Sequence, residues 1–88
     1  MVLTTLERQD LYSPYTEIMR DCRMQWGISQ SDLARAVNLS SKYVTLIEGG
    51  RRTPTAESLL ALMAESGVMR STAEQMLREL LERFKWKE

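Results

Sequence analysis

The densest group of hydrogen-bond donors in the chain is Arg51, Arg52 and Thr53, placed between Gly49–Gly50 and Pro54. Two guanidiniums and a hydroxyl in a row suit an anion that accepts from several directions. The paired glycines let backbone approach closely or take positive φ. A second group, Ser41, Lys42, Thr45 and Leu46, lies just upstream. At about 100° per residue Lys42, Thr45, Leu46 and Gly49 fall roughly opposite Val44, Ile47 and the stem of Glu48. One side of this helix is core, and the other must meet something outside. Catalysis has little to work with. Histidine is absent, the serines and lysines lack a paired base, and Cys22 is the single cysteine, which leaves neither a multi-cysteine metal site nor an intrachain disulfide.

The elements that must hold these groups read from Gly27 to Pro54 as two short helices around a tight turn. Ser29 caps the first, Asp32 follows three residues later, and Leu33, Ala34 and Val37 form its apolar face. Asn38 tolerates a left-handed conformation, Leu39 plugs the space between the helices, and Ser40 caps the second. Upstream, Ser13 and Pro14 form a helix opening, and Tyr15, Ile18, Met19, Cys22 and Trp26 repeat at three and four residues until Gly27. Cys22 reads as a small core hydrophobe. Downstream, Thr55 caps a helix carrying Ala56, Leu59, Leu62 and Met63 that ends at Gly67. Ser71 and Glu74 stand at capping-box spacing ahead of a last helix. That helix carries two adjacent stripes, Ala73/Met76/Leu80 and Leu77/Leu81/Phe84, followed by Trp86. One stripe covers the core and the other suits a second copy, or the two form a single broad core contact. Thr4 and Glu7 share the same capping spacing, which leaves residues 5–11 as either a short extra helix or an arm.

Gln30, the Leu33–Ala34 pair, Asn38–Leu39, Ser40, the run Tyr43-Val44-x-x-Ile47-Glu48 and Gly50-Arg51-Arg52-Thr53-Pro54 together resemble the helix-turn-helix of the phage repressor/Cro-like family, or XRE type. The resemblance runs without a gap from about Ile18 to Val68. It implies an all-α, five-helix bundle of lambda-repressor-like type, with a possible short extra N-terminal helix. The expected division is an arm or short helix over 1–12, a DNA-binding domain over 13–68 and a dimerising helix over 69–88. The resemblance also implies that Arg23 pairs with Glu48 and that the second helix of the motif enters the major groove of double-stranded DNA. On that geometry Ser41, Lys42, Thr45 and Leu46 face bases: Lys42 can donate to guanine, and Leu46 can meet a thymine methyl or pack in the core. Gln30, Ser40, Tyr43, Arg51, Arg52 and Thr53 are placed to hold the sugar–phosphate backbone, Tyr43 alternatively packing beside the fourth helix. Met76, Leu77, Leu80, Leu81, Phe84 and Trp86 are the expected dimer contacts. Leu46 and Gly49 stand where commoner members carry polar or basic residues, so no operator sequence follows.

Lys and Arg number 12 against 12 Asp and Glu in 88 residues, a balance that does not by itself advertise nucleic acid. The distribution is uneven. Between residues 27 and 54, Arg35, Lys42, Arg51 and Arg52 outnumber Asp32 and Glu48, whereas 55–67 hold only Glu57 and Glu65. A local basic patch attracts phosphate with strong salt dependence. No long apolar run suggests a membrane span or a leader, and the default compartment is a reducing cytoplasm. The length leaves no room for a separate effector domain, so neither a cofactor nor a small-molecule effector is expected. Two functions follow: a homodimeric, sequence-specific regulator, most simply a repressor on an inverted repeat, or a protein-interaction module that keeps the fold without operator binding. An enzyme is not expected.

Overall fold

Among the described residues, 3–84 of this computed structural model, there are five helices, and all but the last begin where a side chain accepts from the free amides of the first turn. The first, α1 (Thr5–Gln25), opens on a reciprocal cap in which the Glu7 amide donates to Thr4 Oγ1 and the Thr4 amide donates to Glu7 Oε1, both at 3.1 Å. Two such bonds satisfy two donors that would otherwise need water.

Helix α1 then runs straight through Pro14, so the expected start at Ser13 and the separate short helix are both replaced by one element. Proline removes a single amide and its φ is already helical. Asp10, Ser13 and Pro14 are exposed, which leaves the unpaired carbonyl open to water, while Leu11, Tyr12, Tyr15, Thr16 and Met19 are buried on the opposite side and carry the helix across the gap. The buried stripe is therefore longer than expected and ends differently. Ile18 is exposed, Cys22 is only half-buried, and Trp26 is 70% exposed. The helical register stops at Gln25, and the turn at Gly27, φ +70°, leaves the Trp26 indole outside, lying over Gly67.

Helices α2 (Gln30–Ala36) and α3 (Ser41–Glu48) are each capped by a serine: Ser29 Oγ accepts from the Asp32 amide at 3.0 Å and Ser40 Oγ from the Tyr43 amide at 3.1 Å. Between them Asn38 takes φ +58°, a conformation a short amide side chain tolerates better than most. The half-buried Leu39 then packs on the core while its amide returns to the Ala34 carbonyl at 2.8 Å. Helix α4 (Ala56–Glu65) starts at Thr55, whose hydroxyl accepts from the Ser58 amide, and is followed by Gly67 at φ +85°.

Helix α5 (Arg70–Glu82) is the exception, because its N-cap is Met69, which offers no side-chain acceptor. The expected Ser71–Glu74 box does not form. Glu74 instead accepts from Arg70 at 2.7 Å on the exposed side, one turn away, a pairing that its distance along a helix favours. Burial positions this helix. Met76 is fully enclosed with Tyr12, Met19, Leu33, Val44, Ile47, Leu59, Leu62 and Met63, where α1 packs on α3, α4 and α5, and α2 packs on α3 and α4. Burying such a side chain contributes about 1.5–3 kcal/mol.

This placement corrects the expected dimer surface. Met76 belongs to the protein's own core and has no face left for another subunit. Leu80 is half-buried against the same core, Leu77 and Phe84 are half-buried, and Leu81 is 50% exposed. Trp86 lies outside the described residues. Leu3, from the region read as an arm or short helix, is buried and shares a groove with Tyr12, Ala56, Leu80 and Phe84.

Candidate nucleic-acid interface

Two helices of seven and eight residues are too short to hold a surface by backbone bonds alone, and here a buried ion pair fixes them. Arg23, near the end of α1, and Glu48, at the end of α3, meet through two bonds: Nε donates to Oε2 at 2.8 Å and Nη2 to Oε1 at 3.0 Å. The third arm of the guanidinium, Nη1, donates to the Ile28 carbonyl at 2.6 Å. The Glu48 side chain is 2% exposed. The pair is therefore desolvated yet nearly fully bonded, the condition under which a buried ion pair is tolerated and under which removal of one partner is costly. It ties α1, the α1–α2 turn and α3 into one body.

From Glu48 the bonding continues outward. Gln30 Nε2 donates to Glu48 Oε1 at 3.0 Å, and Gln30 Oε1 accepts from the Thr45 hydroxyl at 2.7 Å. That hydroxyl also lies 2.9 Å from the Ser41 carbonyl. Gln30 thus has one amide hydrogen left for the phosphate contact expected of it. Thr45 has a single proton and two acceptors for it within the protein. Thr45, expected to face bases, stays exposed on α3 with its proton directed to the protein's own oxygens.

The outward surface of α3 consists of Ser41, Lys42 and Thr45, all exposed, with Leu46 half-buried beside them. Ser41 Oγ lies 3.4 Å from Ser31 Oγ, a long contact that ties it only loosely to α2. Lys42, Tyr43, Leu46, Ser40 and Arg52 line a concavity of about 420 Å³ on this surface. Leu46 forms part of its wall, neither sealed in the core nor fully exposed. Arg52 is held there by stacking: its guanidinium carbon lies 5.4 Å from the Tyr43 ring centre, an attraction of about 0.5–1 kcal/mol at an exposed site. Tyr43 is half-buried, so its ring braces the arginine from the core side.

The loop behind α3 is set by its own turn. Gly50 takes φ +73°, and the Arg51 and Arg52 amides both return to the Leu46 carbonyl, at 2.8 and 3.2 Å. Gly49 has an ordinary helical φ of −83°, so the positive-φ role falls to Gly50 alone. Arg51 and Arg52 are exposed, whereas Thr53 is half-buried and donates to Gln9 Oε1 at 2.6 Å. Its only proton is engaged inside the protein, so Thr53 supports the loop and cannot donate to a phosphate as expected. Gln9 is a functional support that sequence reading missed. It lies 44 residues from its partner, and nothing in the local pattern marks it.

The site residues therefore divide into three sets. The structure brings Ser40, Lys42, Tyr43, Leu46 and Arg52 around one concavity, with Ser41 and Thr45 exposed on the same helix and Arg51 exposed in the loop beside Arg52. It places Arg23 and Glu48 beneath that surface, with Gln30 between. It leaves Leu77, Leu80 and Leu81 on α5, with Phe84 just past the end of that helix. No helix among the described residues is long and apolar enough to cross a membrane. No curated protein and no solved structure matches the chain. A family model described as a helix-turn-helix domain matches residues 17–80, from the middle of α1 into α5. With that match spanning most of the 88 residues, and with two capped helices around a left-handed Asn38 presenting hydroxyl and basic groups, the chain belongs to the helix-turn-helix family of DNA-binding domains.

Proposed function

We propose that this protein is a homodimeric, sequence-specific transcriptional regulator of the phage repressor/Cro-like type, acting as a repressor on an inverted-repeat operator. The observation that carries the reading is the partition of α3: Val44, Ile47 and Glu48 are buried, while Ser41, Lys42 and Thr45 stand outside, with Arg51 and Arg52 exposed in the loop that follows. A helix with this surface fits the major groove. Lys42 donates to guanine O6 or N7, Leu46 meets a thymine methyl, and Ser41 contacts the adjoining base edge. Ser40, Tyr43, Arg51 and Arg52 hold the flanking phosphates, which fixes register without reading sequence.

Helix α5 and the turn that ends it are the proposed dimer element, through Leu77, Leu81, Phe84 and the outer side of Leu80. A two-fold axis there sets a pair of α3 helices about one helical turn, ~34 Å, apart. No catalytic role and no small-molecule effector belong to this reading, so occupancy follows protein concentration, steepened by dimerisation.

Selection of bound duplexes from a random pool tests it. The expected result is an enriched inverted repeat. Affinity for that repeat should fall in Arg51→Ala and Arg52→Ala, with the slope of log affinity against log salt reduced by about one per arginine in each subunit. No enrichment at low salt, with a protein partner retained by the double alanine variant, would assign the chain to protein interaction instead.

A further inference from the structure

The bonds that run from Arg23 to Thr45 have a polarity, and that polarity reaches the surface of α3. Beside the Arg23 guanidinium the Glu48 carboxylate can only accept. Gln30 must therefore turn its amide nitrogen toward Glu48, at 3.0 Å, which points its carbonyl oxygen toward Thr45. That oxygen in turn can only accept, so the Thr45 hydroxyl is the donor across the 2.7 Å contact. The Ser41 carbonyl, 2.9 Å from the same hydroxyl, competes for the same proton and offers none back. Each link is forced by the one beneath it, and the first link is buried.

From this we infer that Thr45 is a hydrogen-bond acceptor on the recognition surface, specifying a cytosine N4 or adenine N6 amino group in the major groove. The inference rests on the regulator reading above and deepens it. A free threonine hydroxyl would serve either kind of base, because it can rotate to donate or accept. This one cannot donate to guanine O6, guanine N7 or thymine O4, since its proton is already held by two oxygens of the protein. Its exposed side retains oxygen lone pairs and a methyl group. Lys42, one turn earlier on the same helix, is donor-only. Neighbouring positions thus carry opposite polarity, and together they distinguish a base edge that accepts from one that donates. Glu48 and Gln30 are positioning residues in this scheme, since they act through Thr45 and touch no base.

Three proteins, wild type, Thr45→Val and Thr45→Ser, are taken through the same duplex selection and then titrated on the enriched site. Valine keeps an apolar branch and loses the oxygen; serine keeps the oxygen and loses the methyl. The position whose base preference disappears in Thr45→Val marks the contact. The expected preference there is cytosine or adenine for wild type and Thr45→Ser. Replacing that base by pyrimidin-2-one or purine, which lack the amino group, should weaken wild type about five- to tenfold and leave Thr45→Val unchanged. A preference for thymine or guanine, insensitivity to the amino-free bases, or a loss in Thr45→Ser with none in Thr45→Val would each overturn the acceptor assignment while leaving DNA recognition standing. Failure of wild type to enrich any duplex would overturn the regulator reading and this one with it.

Discussion

The α2–α3 pair and α5 are held by different physics. The pair is short, serine-capped at both N-termini, and connected by side-chain hydrogen bonds to a buried guanidinium and carboxylate. Helix α5 is longer, starts without a side-chain cap, and is placed by burial of Met76 with half-buried apolar neighbours around it. Hydrogen bonds are directional, and the proposed reading of base edges would gain from that. Hydrophobic burial is nearly indifferent to direction, which suits a helix whose partner is another apolar surface. The molecule uses directional bonding to place α2 and α3 and apolar area to place α5.

That contrast can be broken experimentally. The largest expected effect is at the ion pair: Glu48→Ala leaves Arg23 buried without its carboxylate, and the loss should be about 3–5 kcal/mol in urea unfolding. Glu48→Gln has the same shape and should still be clearly destabilising, because charge and bond polarity are both wrong. A near-wild-type midpoint for Glu48→Gln would show that shape, not direction, holds this half. In the other half, Met76→Ala should cost about 2–5 kcal/mol by opening a cavity. Met76→Leu should cost less than about 1.5 kcal/mol, since the volume is roughly conserved. Equal losses for alanine and leucine would mean that α5 is as exacting as α3.

The smallest effect is confined to alkaline pH. Tyr15, on α1, is pushed up from 10.0 to about 12, first by burial and then by the nearby Glu79 carboxylate on α5. Below pH 10 folded and unfolded chains both keep the proton, so the contribution is constant. Above it the unfolded chain ionises first, and stability should fall progressively toward pH 12. Thermal melts across this range should show a shallower decline for Tyr15→Phe. Some slope should remain, because burial also raises Tyr12. Identical slopes for the two proteins would show that burial and the Glu79 charge do not hold the Tyr15 proton in the folded chain.

What the sequence disclosed follows the same division. Signals that act within one turn were legible: the Ser29, Ser40 and Thr55 caps, the left-handed Asn38, and the turn glycines 27 and 67. The meeting of Arg23 with Glu48 entered through the family resemblance. No local rule reports on residues 25 apart. Pro14 misled because Ser-Pro is a sound local opening, whereas the burial of Leu11 and Tyr12 ahead of it, a property of the whole core, carries the helix through. Trp26 misled because three-and-four periodicity extends on paper past the residue where the helix stops. The Gln30–Thr45 and Gln9–Thr53 bonds span 15 and 44 residues and involve polar side chains with no periodic signature. They belong to the tertiary fold alone.

The Gln9–Thr53 bond also bears on how this interface can be moved between proteins. Gln9 precedes the matched segment, which starts at residue 17, yet it receives the proton of the residue directly after Arg52. A graft cut at the family boundary would carry both arginines on a loop deprived of that brace, with backbone contacts to Leu46 remaining behind it. The transplantable unit of this surface is thus longer than its homologous core, and it includes the first turns of α1.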